Sequence, residues 1–449
     1  MARIDGGLSL GSPLRALKRR LVRSIAGRAL RSSRLASLAN LPPALQLPLR
    51  RTDVDPVPEL AELREREPVS RLASLLGMSV WLVTGYDEVR QVLADSAAYT
   101  NDIRPVIGKA TATGPDAIGG LGFTDPPDHT RLRKYLTPEF TRRRLLGLQP
   151  RIAAIVDAQL DEMARLGPDV DLVRTFAFPI PFLVICELLG LPKHQREEFR
   201  RLGTERFDAS SGIVGVFGAA SESRTFLFEF ARQQREAPND GLIGRLVTRH
   251  GDELSDVELG SFADGLFLGG YETSASMLSL GTYVLLRNPA AYERIAEDAD
   301  WVAGAVDELL RYLTVVQVAF PRFAREDHEL FGQQVAKGDV VACSLSGADR
   351  AAVFGPDEER FDPDRDPAAR HLAFGYGMHR CVGAELAQLE LQTAFPRLAR
   401  RFPRLALSAD PEALRFRALS IVYGLEEMPV CLHGSRREVA PTQPPIPVP

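Results

Sequence analysis

The chain is poor in cysteine, with four residues in 449, at positions 186, 343, 381 and 431. So few, so far apart, they exclude a disulfide scaffold or a compact zinc site and suggest a reducing compartment. Long apolar runs are missing as well. No stretch of about twenty apolar residues occurs, so nothing reads as a membrane-spanning helix. No strand–GxGxxG–helix unit is present, which excludes a built-in dinucleotide segment of that kind. Net charge is only −4, without the basic excess of a general nucleic-acid binder. Acids are scarce in one place. Before Arg51 the single acid is Asp5, against basic residues that include Arg15, Lys18, Arg19, Arg20, Arg23, Arg28, Arg31 and Arg34.

What is present divides the chain in three. Residues 1–45 read as a basic extension closed by Leu41-Pro42-Pro43. Leu14, Leu17, Leu21 and Ile25 share one helical face there, which suggests contact with an anionic membrane surface. The same composition also suits an organelle transit peptide or a helix docked on the core. Residues 46–435 read as one continuous folding unit, and 436–449 as a Pro-rich disordered tail. Within the unit, Met78–Val83 is predicted to be a strand, Asp87–Ala94 a short helix and Asp256–Leu286 a long central helix. Leu330–Leu345 is predicted to be a hairpin turning at Lys337-Gly338-Asp339.

One run stands out, Phe374-Gly375-Tyr376-Gly377-Met378-His379-Arg380-Cys381-Val382-Gly383. It puts one thiol in a glycine-opened loop just ahead of a helix-favouring stretch. Gly375, Gly377 and Gly383 remove Cβ atoms where a flat macrocycle would approach the backbone. The helix start offers free N–H groups and a positive dipole end, which favour thiolate over thiol. The plainer alternative is a buried cysteine acting as a small hydrophobe.

A second run is Gly269-Gly270-Tyr271-Glu272-Thr273-Ser274. Two adjacent glycines weaken a helix and invite a local bulge. An acid and a hydroxyl beside such a groove can relay protons to a small bound ligand while bulk water stays out. Glu308 and Arg311 share a helical face at i, i+3. His129 and Arg133 share another, behind a helix start at Pro126-Pro127-Asp128.

Together these runs resemble the cytochromes P450. The pattern Phe-x-x-Gly-x-x-x-Cys-x-Gly, from Phe374 to Gly383, is similar to that family's haem-binding signature, and the likeness extends from about Arg51 to His433. The resemblance implies a mainly α fold with small β-sheets. It implies haem b between a long central helix and the cysteine loop, with Cys381 as the iron ligand and Phe374, Gly377 and Gly383 shaping the loop. Glu272 and Thr273 would assist oxygen activation, with Gly269 and Tyr271 standing where the family usually has Ala and His. His129, Arg133, Arg322 and His379 would meet the haem propionates. Glu308, Arg311 and Arg360 would form a buried charge network bracing the loop.

Phe267, Leu268, Gly269, Val316, Val318 and Phe320 would line the distal pocket, although each could equally be core. Their apolar character suggests a mostly hydrophobic small-molecule substrate. Thr100–Phe123, with Arg104 and Lys109, and Asp208–Ser221 are expected as pocket covers. The implied activity is a monooxygenase using O2 and electrons from a ferredoxin or flavodoxin with its reductase. Such a donor would dock near Lys134, Arg142, Arg143, Arg144 and Arg380. A cytoplasmic monomer is expected. The rivals are a peroxide-driven peroxygenase, which would not need the acid–alcohol pair, and a haem-thiolate sensor or carrier, which would need a signalling segment. Three departures from the family pattern stand out: Pro396 in the helix after the cysteine, Asp349-Arg350 in place of Asn-Arg, and the long N-terminal extension.

Overall fold

The structure, a computed structural model, describes residues 38–75, 78–102, 120–208, 222–366 and 369–434. The amphipathic stretch Leu14–Ile25, the tail 436–449 and most of both pocket-cover segments lie outside these residues.

The elements that carry the site are few. The strands are β1 (Val69–Leu75), β2 (Met78–Val83), β3 (Tyr99–Thr100), β4 (Arg322–Ala324) and β5 (Val340–Cys343). They form one five-stranded sheet in the order β1-β2-β5-β4-β3. The helices are α1 (Tyr86–Ala94), α2 (Asp128–Leu136), α3 (Pro179–Leu189), α4 (Arg196–Asp208), α5 (Glu222–Glu236), α6 (Asp256–Leu286), α7 (Val302–Leu313) and α8 (Ala384–Arg401). Helix dominates, as expected. Among the described residues no helix is long and apolar enough to cross a membrane.

α6 is the axis of the molecule. Its start is set by a capping box: Glu258 N–H donates to Ser255 Oγ at 3.2 Å, and Ser255 N–H to the Glu258 carboxylate at 2.8 Å. At 31 residues it runs about 46 Å. Its second half, from Ser274 to Leu285, is buried all round, so it traverses the core rather than lying on it. α3, α5 and α8 all pack against it.

Two local expectations change. The turn at Lys337-Gly338-Asp339 does not close a hairpin. The hairpin pairs His328–Leu330 with Gln333–Val335 and turns at Phe331-Gly332. The later turn passes the chain on to β5, which runs parallel to β2 and antiparallel to β4. Asp339 fixes that hand-over, accepting from Ser79 N–H at 2.9 Å and Trp81 Nε1 at 3.1 Å. Pro396 neither breaks nor restarts its helix; α8 runs through it to Arg401. The helix around Pro396 is buried on α6, where Phe395 packs against Gly281, and that packing outweighs one missing N–H bond.

Candidate active site

Cys381 sits at the end of a closed loop. Its N–H donates to the Phe374 carbonyl at 2.9 Å, so the loop returns on itself across the six intervening residues. Gly375 and Gly377 adopt φ of 69° and 71°, a left-handed conformation that needs glycine. At Gly377 a Cβ would also lie 2.6 Å from the Leu93 carbonyl of α1. The neighbouring helix therefore crowds this position in addition to the turn that requires glycine. At Gly383 a Cβ would stand 3.9 Å from the Cys381 sulfur, an ordinary contact.

The thiol is exposed to solvent yet enclosed enough for burial to dominate its titration. Burial pushes it up, while the Gly383 N–H and the guanidiniums of Arg133 and Arg380 pull it down. The net direction is upward, so the helix start alone does not yield a thiolate. A bound metal cation would supply the missing positive charge.

Beside the loop, the His129 and His379 rings face each other at 4.3 Å, tilted by 53°. His129 is buried, and among the described residues neither of its ring nitrogens has a hydrogen-bond partner. Burial, followed by Arg133, lowers His129. Burial, followed by His129 and Arg322, pushes His379 down to about 3. Arg322 is buried on β4 and donates to the Phe320 carbonyl at 2.9 Å. Arg133 donates to the Arg380 carbonyl at 2.8 Å, tying α2 to the cysteine loop. Buried donors without acceptors are costly. This set therefore fits a group that brings carboxylates into the cleft, as haem does with its two propionates.

On α6, the Thr273 hydroxyl donates to the Gly269 carbonyl at 2.6 Å. The helix stays continuous through Gly269-Gly270, without the expected bulge. A Cβ at Gly269 would meet nothing within 4 Å, whereas one at Gly270 would lie 3.0 Å from Ile185. Glu272 pairs with Arg417, a residue sequence reasoning missed. Burial raises the Glu272 carboxyl, and Arg417 opposes that rise.

The expected pocket residues divide. Gly269, Val316, Val318 and Phe320 keep exposed surface, as a cleft lining should, with Phe320 40% exposed. Leu268 is nearly buried, and Phe267 is wholly so. The Phe267 ring packs on Phe199 at 4.6 Å and Tyr271 at 5.3 Å, with Gly203 hard against it. Phe267 belongs to the core joining α4 and α6, because its ring is packed against Phe199 and Gly203 of α4.

The charge network is present with one change of membership. Glu308 and Arg311 are buried and paired. The second guanidinium on Glu308 comes from Arg365, at 3.3 Å, with its side chain only 5% exposed. Arg360 instead contributes its carbonyl, which accepts from Arg311 at 2.9 Å and from Arg365 at 3.2 Å. The Pro363 turn carries the chain back so that Arg365, two residues on, points inward. That spacing was readable as Arg360-Phe361-Asp362-Pro363-Asp364-Arg365. Arg417 had no comparable signal, lying in an irregular stretch with no acid at helical spacing.

Known proteins resemble the chain along most of its length. The Cytochrome P450 family model matches residues 169–417. Cytochrome P450 165B3 of Amycolatopsis orientalis is 38% identical over 389 residues, covering 86% of this chain and 98% of its own. The 6-deoxyerythronolide B hydroxylase of Saccharopolyspora erythraea is 36% identical over 389 residues, covering 83% and 95%. The solved structure of P450 StaH from glycopeptide antibiotic A47934 biosynthesis superposes with a TM-score of 0.77 at 38% identity, covering 86% of this chain and 99% of its own.

Proposed function

Because the chain belongs to the cytochrome P450 family, and is a haem-binding monooxygenase of small molecules, we propose that Cys381 is its iron ligand and that the cleft between its loop and α6 is the reaction site. Bound through a cysteine thiolate, haem b supplies the dioxygen chemistry. The remaining steps belong to the protein. His129, Arg133, Arg322 and His379 hold the propionates, and the His129 ring, without a hydrogen-bond partner among the described residues, is the observation that carries this reading. Phe374, Gly377 and Gly383 shape the loop around the sulfur. Glu308, Arg311 and Arg365 brace it from α7.

On the other wall, Glu272 and Thr273 deliver protons, and the mostly buried surroundings of Glu272 keep bulk water from doing so unselectively. Leu268, Gly269, Val316, Val318 and Phe320 receive a mostly hydrophobic substrate. The electron donor is a ferredoxin or flavodoxin with its reductase. It docks on the exposed Lys134, Arg142, Arg143 and Arg380, with Arg144 partly engaged by Glu139 at 3.4 Å. The protein acts as a cytoplasmic monomer, organised as an extension of residues 1–45, a catalytic unit of 46–435 and a tail of 436–449. The extension contacts anionic membrane surfaces. Equal binding to anionic vesicles by the full chain and by a chain starting near Arg51 would remove that last point.

The decisive experiment is Cys381→Ser in haem-loaded protein. The absorption signature of sulfur–iron coordination should disappear together with substrate oxidation. An unchanged spectrum would refute the site.

A further inference from the structure

Glu272 faces a side chain from far along the chain. Residues 416–425 fold back on themselves, with Phe416 bridging Leu425 and Arg417 N–H donating to the Gly424 carbonyl at 2.8 Å. This excursion is anchored beside the cleft, where Val422 bridges Val316 and Tyr423 N–H donates to the Val315 carbonyl at 2.8 Å. The stacked rings of Phe416 and Tyr423, 5.7 Å apart, stiffen it. From it the Arg417 guanidinium reaches α6 with two arms. One meets the Glu272 carboxylate, and the other donates to Ser276 Oγ at 2.6 Å. Ser276 is one turn beyond Glu272 and fully buried.

The fit is tight. A Cβ on Gly424 would collide with the guanidinium and stand 2.7 Å from Ser276 Oγ. The Phe178 ring lies 5.9 Å from the guanidinium carbon. Among the described residues Arg417 is the charged group that acts on Glu272, and it opposes the effect of burial.

We propose that Arg417 is a positioning residue for proton delivery, holding the Glu272 carboxylate turned toward the 416–425 segment, one residue from Thr273. This rests on the reading of Glu272 as the acid of an acid–alcohol pair. Arg417 acts through Glu272, and Gly424 is the notch that admits it. Held by one arm of a guanidinium whose other arm is fixed on Ser276, the carboxylate has a set orientation. Without that grip the buried carboxyl takes up a proton and loses its register with Thr273.

The test uses haem-loaded protein and two readouts. The first is the infrared C=O band of protonated Glu272, assigned by its loss in Glu272→Gln and followed against pH. Arg417→Met should raise the midpoint by about 1–3 pH units, and Arg417→Lys should restore much of it. Gly424→Ala should also raise it, because the charge remains but is displaced. That variant, with Arg417→Lys, keeps the test open should Arg417→Met fold poorly. A wild-type midpoint in Arg417→Met or Gly424→Ala overturns the assignment.

The second readout is oxygen consumption with a ferredoxin and its reductase as electron source. Glu272→Gln should slow it by about a hundredfold or more, and Arg417→Met should slow it in the same direction. A wild-type rate in Glu272→Gln overturns the reading of Glu272 itself, and the role of Arg417 falls with it. A slow Glu272→Gln beside an unmoved midpoint in Arg417→Met overturns the Arg417 role alone.

Discussion

Glu308 accepts two hydrogen bonds from the Arg311 guanidinium, at 2.6 and 2.8 Å, with both side chains buried. Arg311 continues to the carbonyls of Asp349, Glu358 and Arg360. Arg365 reaches Glu308 and the carbonyls of Phe354, Pro356, Asp357 and Arg360. One carboxylate and two guanidiniums thus tie α7 to the irregular segment that leads into the cysteine loop.

Removing one member of a buried ion network strands the others, at a cost of about 3–5 kcal/mol. Glu308→Ala, Arg311→Ala and Arg365→Ala should each abolish haem incorporation more than they weaken ligand binding by whatever holoprotein remains. Arg360→Ala should be milder, because the backbone carbonyl that accepts from Arg311 and Arg365 survives the substitution. Haem content per purified chain is the measurement. Equal losses in Arg360→Ala and Arg365→Ala would contradict the assignment.

Asp349 replaces the family's usual Asn and is wholly buried. Its carboxylate accepts from Leu372 N–H at 2.6 Å and from Thr314 Oγ1 at 2.8 Å, joining the end of α7 to the start of the cysteine loop. Burial pushes it up to about 6. The folded state therefore binds this proton more tightly than the unfolded state, whose value is near 3.8. Stability from this group is full below the unfolded value and is lost as pH rises through about 6, by on the order of 2–3 kcal/mol. Asp349→Asn should stabilise the protein at about pH 8 and not at about pH 4. Urea midpoints at several pH values would show it, and a pH-independent difference would refute it.

Gly281 on α6 is a contact point for α8. A Cβ there would lie 2.5 Å from Phe395 Cζ, and Phe395 is fully buried. Gly281→Ala should cost about 1–3 kcal/mol through overpacking. Adding Phe395→Leu should recover part of that, so the two changes together cost less than their sum. Thermal unfolding of the four species completes the cycle.

Gly269 and Gly270 are neighbours with opposite surroundings. Gly269→Ala meets open space and gains up to about 1 kcal/mol of helix propensity, while Gly270→Ala presses on Ile185 and loses that gain. Gly269→Ala should therefore raise the unfolding temperature while weakening bulky ligands, read by ligand-induced changes in the haem spectrum. Gly270→Ala should do neither.

Much of this was legible from the chain. The limits of β2 and α6 match their expected residues because local signals set them: strand-favouring β-branched and aromatic residues in Met78–Val83, and a Ser255/Glu258 cap before an apolar run. The Phe374–Gly383 loop declared itself because its turns need glycine at fixed steps from one cysteine. Tertiary structure alone decided which arginine meets Glu308, that Arg417 meets Glu272 across 145 positions, that Gly377 is crowded by α1, and that Phe267 turns into the core. Propensity and spacing act over a few residues, whereas the partner of a buried charge is chosen by which distant backbone folds close enough to reach it.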